Sequence, residues 1–110
     1  MNLIGKNWET DMLTIGKKQD GSALTFSLKG RLDTTTSPQL EAELRSGLDG
    51  VEDLAFDMAA LEYISSAGLR VLLSAQKTMN RQGSMTLRNV NPDIMDVFEV
   101  TGFVDILNIE

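Results

Sequence analysis

The chain has 110 residues, of which 42% are hydrophobic and 24% are charged, and its formal net charge is -6 with a sequence pI of about 4.5. This length and composition predict one globular domain with a single core. The basic residues are scattered, and their longest run is Lys17-Lys18. Nucleic acid is therefore excluded as an expected partner, because phosphate backbones are bound by concentrated basic surfaces.

The chain contains neither cysteine nor histidine. These absences rule out thiolate nucleophiles, a Ser-His-Asp triad and the most common metal ligands. A Gly-x-Ser-x-Gly elbow and a Walker loop are also missing, so we predict no enzyme activity, no cofactor and no metal site. No apolar run approaches the roughly 20 residues that span a bilayer, and the first residues lack the apolar stretch of a signal peptide. We expect a cytoplasmic protein without direct membrane insertion.

The first part of the chain predicts a β-hairpin. Residues 1–11 are expected to form a tail or edge segment, and the domain is expected to span residues 12–110. The segments 12–15 and 24–28 predict two strands, the second because apolar and polar residues alternate along it. The turn residues at 20–22 connect them.

The first predicted helix begins near Ser37, whose hydroxyl can cap free N–H groups, and Pro38 suits the first helical position. Gly47 and Gly50 are expected to end it. Its apolar stripe consists of Leu40, Leu44 and Leu48.

A second unit of strand and helix follows. Residues 54–58 predict a buried strand, and residues 59–63 are expected to form a loop. A long helix is predicted from Ser65 or Ser66 to Gly83.

The last unit repeats the pattern. Residues 84–90 predict a strand, and Asn91-Pro92 predicts a capped helix that ends at Gly102. Residues 103–109 are expected to form a final strand or an irregular extension. The alternation of strands and helices predicts an open sheet with parallel connections and helices mainly on one face.

The start of the long helix is the most informative segment for function. A serine at a helix N-terminus lies where a phosphate is favoured electrostatically, and phosphorylation adds a charge of about -1.5 to -2. An ordinary N-cap explains Ser65 or Ser66 equally well and is far more common. Composition and spacing leave both interpretations open.

Three segments in register carry a resemblance to a known family. Residues 61–73, LEYISSAGLRVLL, resemble the signature loop and helix of STAS domains, the anti-sigma-factor antagonist family. Residues 28–33, LKGRLD, are similar to the strand of that family that ends in Gly-x-Leu-Asp, and residues 97–103, VFEVTGF, are similar to its closing helix. The resemblance implies a single STAS-like α/β domain with a small mixed β-sheet and helices packed mainly on one face.

The resemblance also implies a function. STAS antagonists capture an anti-sigma factor that is a serine kinase, are released when that kinase phosphorylates them, and are restored by a phosphatase. The phosphorylated serine of the family falls on Ser66, with Ser65 as second choice. Ser65 replaces the usual aspartate and Ala67 the usual second hydroxyl residue. An unphosphorylated STAS subunit of an ABC-type lipid transport complex is the alternative, which the missing aspartate favours.

Acidic positions of the family fall on two further residues. Asp33 matches the family's acidic position at the end of the second strand, and Asp57 is expected at a strand end beside the switch loop. Asp33 could equally initiate a turn, and Asp57 could be a buried structural carboxylate. The partner-binding surface implied by the resemblance comprises Asp33, Asp57, Ser65, Ser66, Ala67, Gly68, Leu69 and Arg70.

Overall fold

The computed structural model describes residues 13–110, so the predicted N-terminal segment 1–11 and Met12 lie outside the described residues. Within the described residues the strands are β1 (Leu13–Asp20), β2 (Ala23–Leu32), β3 (Asp53–Ile64) and β4 (Ser84–Arg88). The helices in the same range are α1 (Ser37–Gly47), α2 (Ser66–Gln82) and α3 (Pro92–Thr101), followed by a short 3-10 helix (Phe103–Asp105).

The strands form one mixed sheet in the order β1-β2-β3-β4. The first two strands pair antiparallel, while β3 pairs parallel with both β2 and β4. The hairpin turn contains Gly21 with a φ of 62°, a backbone conformation that glycine adopts without steric cost. The predicted hairpin and the predicted parallel connections are both confirmed.

One face of the sheet carries the core. In β2 the side chains of Leu24, Phe26 and Leu28 are buried, whereas the alternating Ser27 and Lys29 are exposed. A Cβ on Gly47 of α1 would lie within 4.0 Å of the Leu24 and Phe26 side chains, so the helix packs on this buried face. The opposite face of β2 is left polar.

The strand β3 is longer than the sequence predicts. A loop was expected over residues 59–63, but the strand continues to Ile64 and pairs with β2 as far as Leu32. The register shifts twice, and at each shift β3 carries one more residue than β2. Such bulges break the apolar–polar alternation by which a strand is recognised in a sequence. The loop prediction was therefore wrong.

The start of α1 also differs from the prediction. Thr36 is the N-cap residue and Ser37 is the first helical residue, so Ser37 does not cap the helix. The Asp33 carboxylate accepts hydrogen bonds from the backbone N–H groups of Thr35 and Thr36, which organises the preceding turn and starts the helix one residue earlier.

The C-terminal part follows the sequence signals. The Asn91 side chain accepts a hydrogen bond from the Ile94 N–H at 2.9 Å, which confirms the predicted cap of α3. Gly102 ends that helix with a left-handed φ of 82°. Residues 103–109 form the short 3-10 helix and a single bridge between Ile109 and Leu87, which corresponds to the irregular extension.

Truncating the core stack tests this packing. The rings of Phe26 and Phe56 stack with centroids 5.8 Å apart, and both side chains are fully buried. We expect Phe56→Ala to lower the free energy of unfolding by about 3–5 kcal/mol, because the cavity cannot close completely. Ser27→Ala on the polar face is the control and should change stability by less than about 0.5 kcal/mol. Urea denaturation measures both, and equal effects would contradict the assignment of the core.

Candidate functional site: the junction of β3 and α2

The ends of two parallel strands bring the predicted site residues together. Leu32 at the end of β2 pairs with Ile64 at the end of β3, so Asp33 and Ser65 leave the sheet at the same edge. The Ser65 N–H donates to the Leu32 carbonyl at 2.9 Å. We call residues 65–68 the β3–α2 junction.

The two serines of the junction have different environments. Ser65 is the N-cap residue, with an extended backbone at φ -101° and ψ 177°, and its carbonyl accepts the Leu69 N–H at 3.0 Å. Its hydroxyl oxygen is buried and has no hydrogen-bond partner among residues 13–110. Ser66 is the first helical residue and is exposed. The junction therefore presents the Ser66 hydroxyl outward and holds the Ser65 hydroxyl inward.

Gly68 lets the helix approach the strand ends. A Cβ at this position would lie 2.8 Å from the side chains of Ile64 and Leu32 and 2.9 Å from the Leu32 carbonyl oxygen. Only glycine fits without displacing its neighbours. Leu69 is buried in the core, whereas Arg70 is exposed. The start of α2 is thus held against the strand ends by Gly68 and Leu69. Its solvent-facing side remains exposed.

Asp33 organises the loop beside the junction. Its carboxylate accepts the N–H of Thr35 at 3.0 Å and that of Thr36 at 3.1 Å, and it lies 3.6 Å from the Arg31 guanidinium. Burial raises the pKa of the Asp33 carboxyl, but the hydrogen bonds from Thr36 and Thr35 and the charge of Arg31 outweigh that effect and hold the pKa below its ordinary value. Asp33 therefore organises the turn after β2, and its carboxylate lies beside the junction.

Sequence reasoning missed a neighbouring pair. The Arg31 guanidinium lies 4.2 Å from the ring centroid of Tyr63, and the two residues face each other across β2 and β3. Tyr63 is 40% exposed, and its stacking with the Arg31 guanidinium makes the pair a candidate contact surface. The pairing depends on the bulges in β3, so no spacing rule could find it.

Asp57 lies apart from the junction. It pairs with Ser27 of β2, and the residues from there to the strand end correspond to roughly 20 Å of sheet. Hydrogen bonds from the Asn89 side chain and the Ala59 N–H lower the pKa of the Asp57 carboxyl, although burial opposes them. The structure therefore brings Asp33 and residues 65–70 together, but not Asp57.

Neither a cluster of metal ligands nor a membrane-spanning helix occurs in the part of the chain that the structure describes. Residues 13–110 contain no group of three or more acidic, histidine or cysteine side chains placed to hold a metal ion. Over the same residues, none of the helices has the length and apolar character needed to cross a bilayer.

Comparison with known families identifies the domain. The family model for the STAS domain matches residues 14–110, nearly the whole chain. The chain belongs to the STAS domain family. The signature segments 28–33, 61–73 and 97–103 of this STAS domain all lie within the matched region, and the resemblance seen in the sequence is confirmed.

Relatives and solved structures agree with this assignment. The STAS domain is 41% identical over 91 residues to a Bordetella bronchiseptica protein named putative anti-sigma factor antagonist BtrV, with 81% of this chain and 78% of that protein covered. It is similar in fold to an anti-sigma factor antagonist from Mycobacterium paratuberculosis, at a TM-score of 0.81 and 21% identity over 90% of this chain and 86% of the other. It is also similar to the phosphorylated form of the Bacillus protein SpoIIAA, at a TM-score of 0.70 and 18% identity over 88% and 91% of the two chains.

Filling the space at Gly68 should disturb the junction. We expect Gly68→Ala to destabilise the domain by about 1–3 kcal/mol, because the new methyl group overlaps Leu32 and Ile64. Gly16→Ala is the matched control, since its Cβ would meet Ser27 at an ordinary 3.5 Å and should change stability by less than about 0.5 kcal/mol. Urea denaturation of both variants measures the difference, and an unchanged midpoint for Gly68→Ala would contradict the close approach.

The low pKa of Asp33 makes its contribution to stability dependent on pH. Because the folded pKa lies below the unfolded value of 3.8, this contribution is complete above pH 3.8 and is lost as pH falls through the folded pKa. We expect Asp33→Asn to be less stable than wild type at about pH 7, and the difference to disappear in acid. Asp20→Asn, an exposed change of equal charge in the hairpin, is the control. Unfolding curves recorded from about pH 7 into the acid range measure the effect. A stability difference between Asp33→Asn and wild type that does not change with pH would refute it.

Proposed function

We propose that this STAS domain is an anti-sigma-factor antagonist controlled by phosphorylation of Ser66. In the unphosphorylated form it binds an anti-sigma factor that is also a serine kinase. The kinase transfers the γ-phosphoryl group of ATP to the Ser66 oxygen, with release of ADP and the hydroxyl proton, and the complex then separates. A phosphatase hydrolyses the phosphate ester and restores the binding form.

The exposure of Ser66 carries this proposal. Its hydroxyl lies at the outer face of the first turn of α2, where a kinase can reach it, whereas the Ser65 hydroxyl is buried. The first turn of α2 contains no acidic residue, so a phosphate there meets the positive end of the helix. The Asp33 carboxylate beside the junction is held by two backbone N–H groups and Arg31. Ser66 is therefore the favoured acceptor and Ser65 the second choice.

The proposed docking surface surrounds that hydroxyl. It combines the Asp33 loop with the exposed residues Ser66 and Arg70 at the start of α2. A phosphate at its centre would add a charge of about -1.5 to -2 to a surface that the partner must desolvate. Binding should fall for that reason. Asp57 lies outside this surface and serves the contact between β3 and Asn89.

The relatives support the same function. The relative with 41% identity is named as a putative anti-sigma factor antagonist, and SpoIIAA, which shares the fold, has been solved in a phosphorylated form. The proposed role requires protein binding and no catalytic chemistry of this chain. Its net charge of -6 also agrees with a protein partner in preference to nucleic acid.

Phosphate mapping tests the proposal directly. The protein is incubated with ATP and its cognate anti-sigma serine kinase, and the modified residue is located by mass spectrometry. We expect one phosphate on wild type and on Ser65→Ala, and none on Ser66→Ala. Binding to the kinase, measured by calorimetry, should weaken about tenfold or more in Ser66→Asp and remain in Ser66→Ala.

A different pattern would overturn the proposal. Phosphate on neither Ser65 nor Ser66, together with unchanged binding by Ser66→Asp, would remove the switch. That result would favour the alternative of an unphosphorylated STAS subunit in a lipid transport complex, and transporter genes beside this one would support it.

A further inference from the structure

A cavity beside the junction has no role in the function proposed above. It lies between the N-terminal turns of α1 and α2 and has a volume of about 420 Å³. Its wall includes Thr34, Ser37, Glu41, Ala67, Arg70 and Ser74. The volume is ample for a phosphoryl group with surrounding water molecules.

A buried hydroxyl on the cavity wall lacks a partner. Ser37 is only 4% exposed, and its hydroxyl oxygen forms no hydrogen bond within residues 13–110. Leaving a buried hydroxyl unpaired destabilises the folded state, so such a group is rare without a functional reason. Because Ser37 lines the cavity, its unpaired hydroxyl points to a polar ligand there.

The charges around the cavity favour an anion. Arg70 is exposed on the wall and makes no ion pair with any described residue. No side chain caps α2, and its first turn has no acidic residue, so the positive end of the helix is not neutralised. Glu41 is the opposing carboxylate of the wall, and it lies 3.3 Å from the guanidinium of Arg45.

Ser66 is next in sequence to a residue of the cavity wall. It precedes Ala67 of the wall and lies four residues before Arg70 on α2. Residues four apart on a helix have Cβ atoms about 5–6 Å from each other, which is within the reach of a phosphoserine and an arginine.

We propose that this cavity is a phosphoryl-binding site, in which Arg70 and the Ser37 hydroxyl hold the phosphoryl group carried by modified Ser66. The inference rests on the proposed phosphorylation of Ser66. Modification then changes the docking surface twice, because it adds negative charge and also withdraws the Arg70 guanidinium from the partner.

The experiment avoids any kinase. Phosphoserine is incorporated at position 66 during translation by an expanded genetic code, and the second pKa of the phosphate is measured by phosphorus NMR. We expect that pKa to rise by about 0.5 or more in Arg70→Gln, because a nearby cation stabilises the dianion. Arg70→Lys should lie between the two, and Ser37→Ala should give a smaller rise. Lys77→Gln, an exposed change of equal charge two turns further along α2, should leave the pKa unchanged.

A titration with inorganic phosphate distinguishes a site for the phosphoryl group on Ser66 from a site for free phosphate. The phosphate is titrated into the unmodified protein while the amide signals of Ser37, Ala67 and Arg70 are followed by NMR. Saturable shifts, together with the Arg70-dependent pKa, support the proposal. Saturable shifts without any effect of Arg70→Gln would overturn the assignment to Ser66 and leave a site for free phosphate. The absence of both effects would refute the site altogether, whereas the proposed function is decided separately by the kinase reaction.

Discussion

The backbone of Gly68 lies so close to the end of β2 that an added Cβ would come within 2.9 Å of the Leu32 carbonyl oxygen. The same carbonyl accepts the Ser65 N–H. These two contacts join the start of α2 to the ends of two parallel strands, and the other features of the site depend on them. With the helix start fixed in this way, the Ser65 hydroxyl must lie inside and the Ser66 hydroxyl outside. The Asp33 loop, which leaves β2 one residue after Leu32, is held beside both.

The electrostatics of this region differ from those of the chain as a whole. The protein carries a net charge of -6, yet the first turn of α2 has no acidic residue and Arg31 and Arg70 lie nearby. The Asp33 carboxylate is occupied by backbone N–H groups and by Arg31. The junction is therefore a place on an acidic protein where further negative charge is tolerated by the fold. A change of binding after phosphorylation can then arise at the surface without unfolding of the domain.

The sequence alone was sufficient for the order of the elements, because apolar spacing and the turn and cap residues act locally. The Asn91 cap and the hairpin are examples. The resemblance to STAS domains added Ser66 and Asp33, which the structure brings together. The errors have non-local causes: the length of β3 depends on bulges against β2, and the failed cap at Ser37 depends on the Asp33 carboxylate four residues before it. The position of Asp57 far from the junction follows from the same misjudged strand length.

The residues of the junction differ in how freely they can be substituted. The Ser65 hydroxyl makes no hydrogen bond within the described part of the fold, whereas a Cβ at position 68 would overlap Leu32 and Ile64. The Ser65 hydroxyl can therefore be lost with little damage to folding, whereas any side chain at position 68 displaces its neighbours. Sequence drift along this helix start is therefore uneven, because the shape of the fold holds position 68 while no hydrogen bond of the hydroxyl holds position 65.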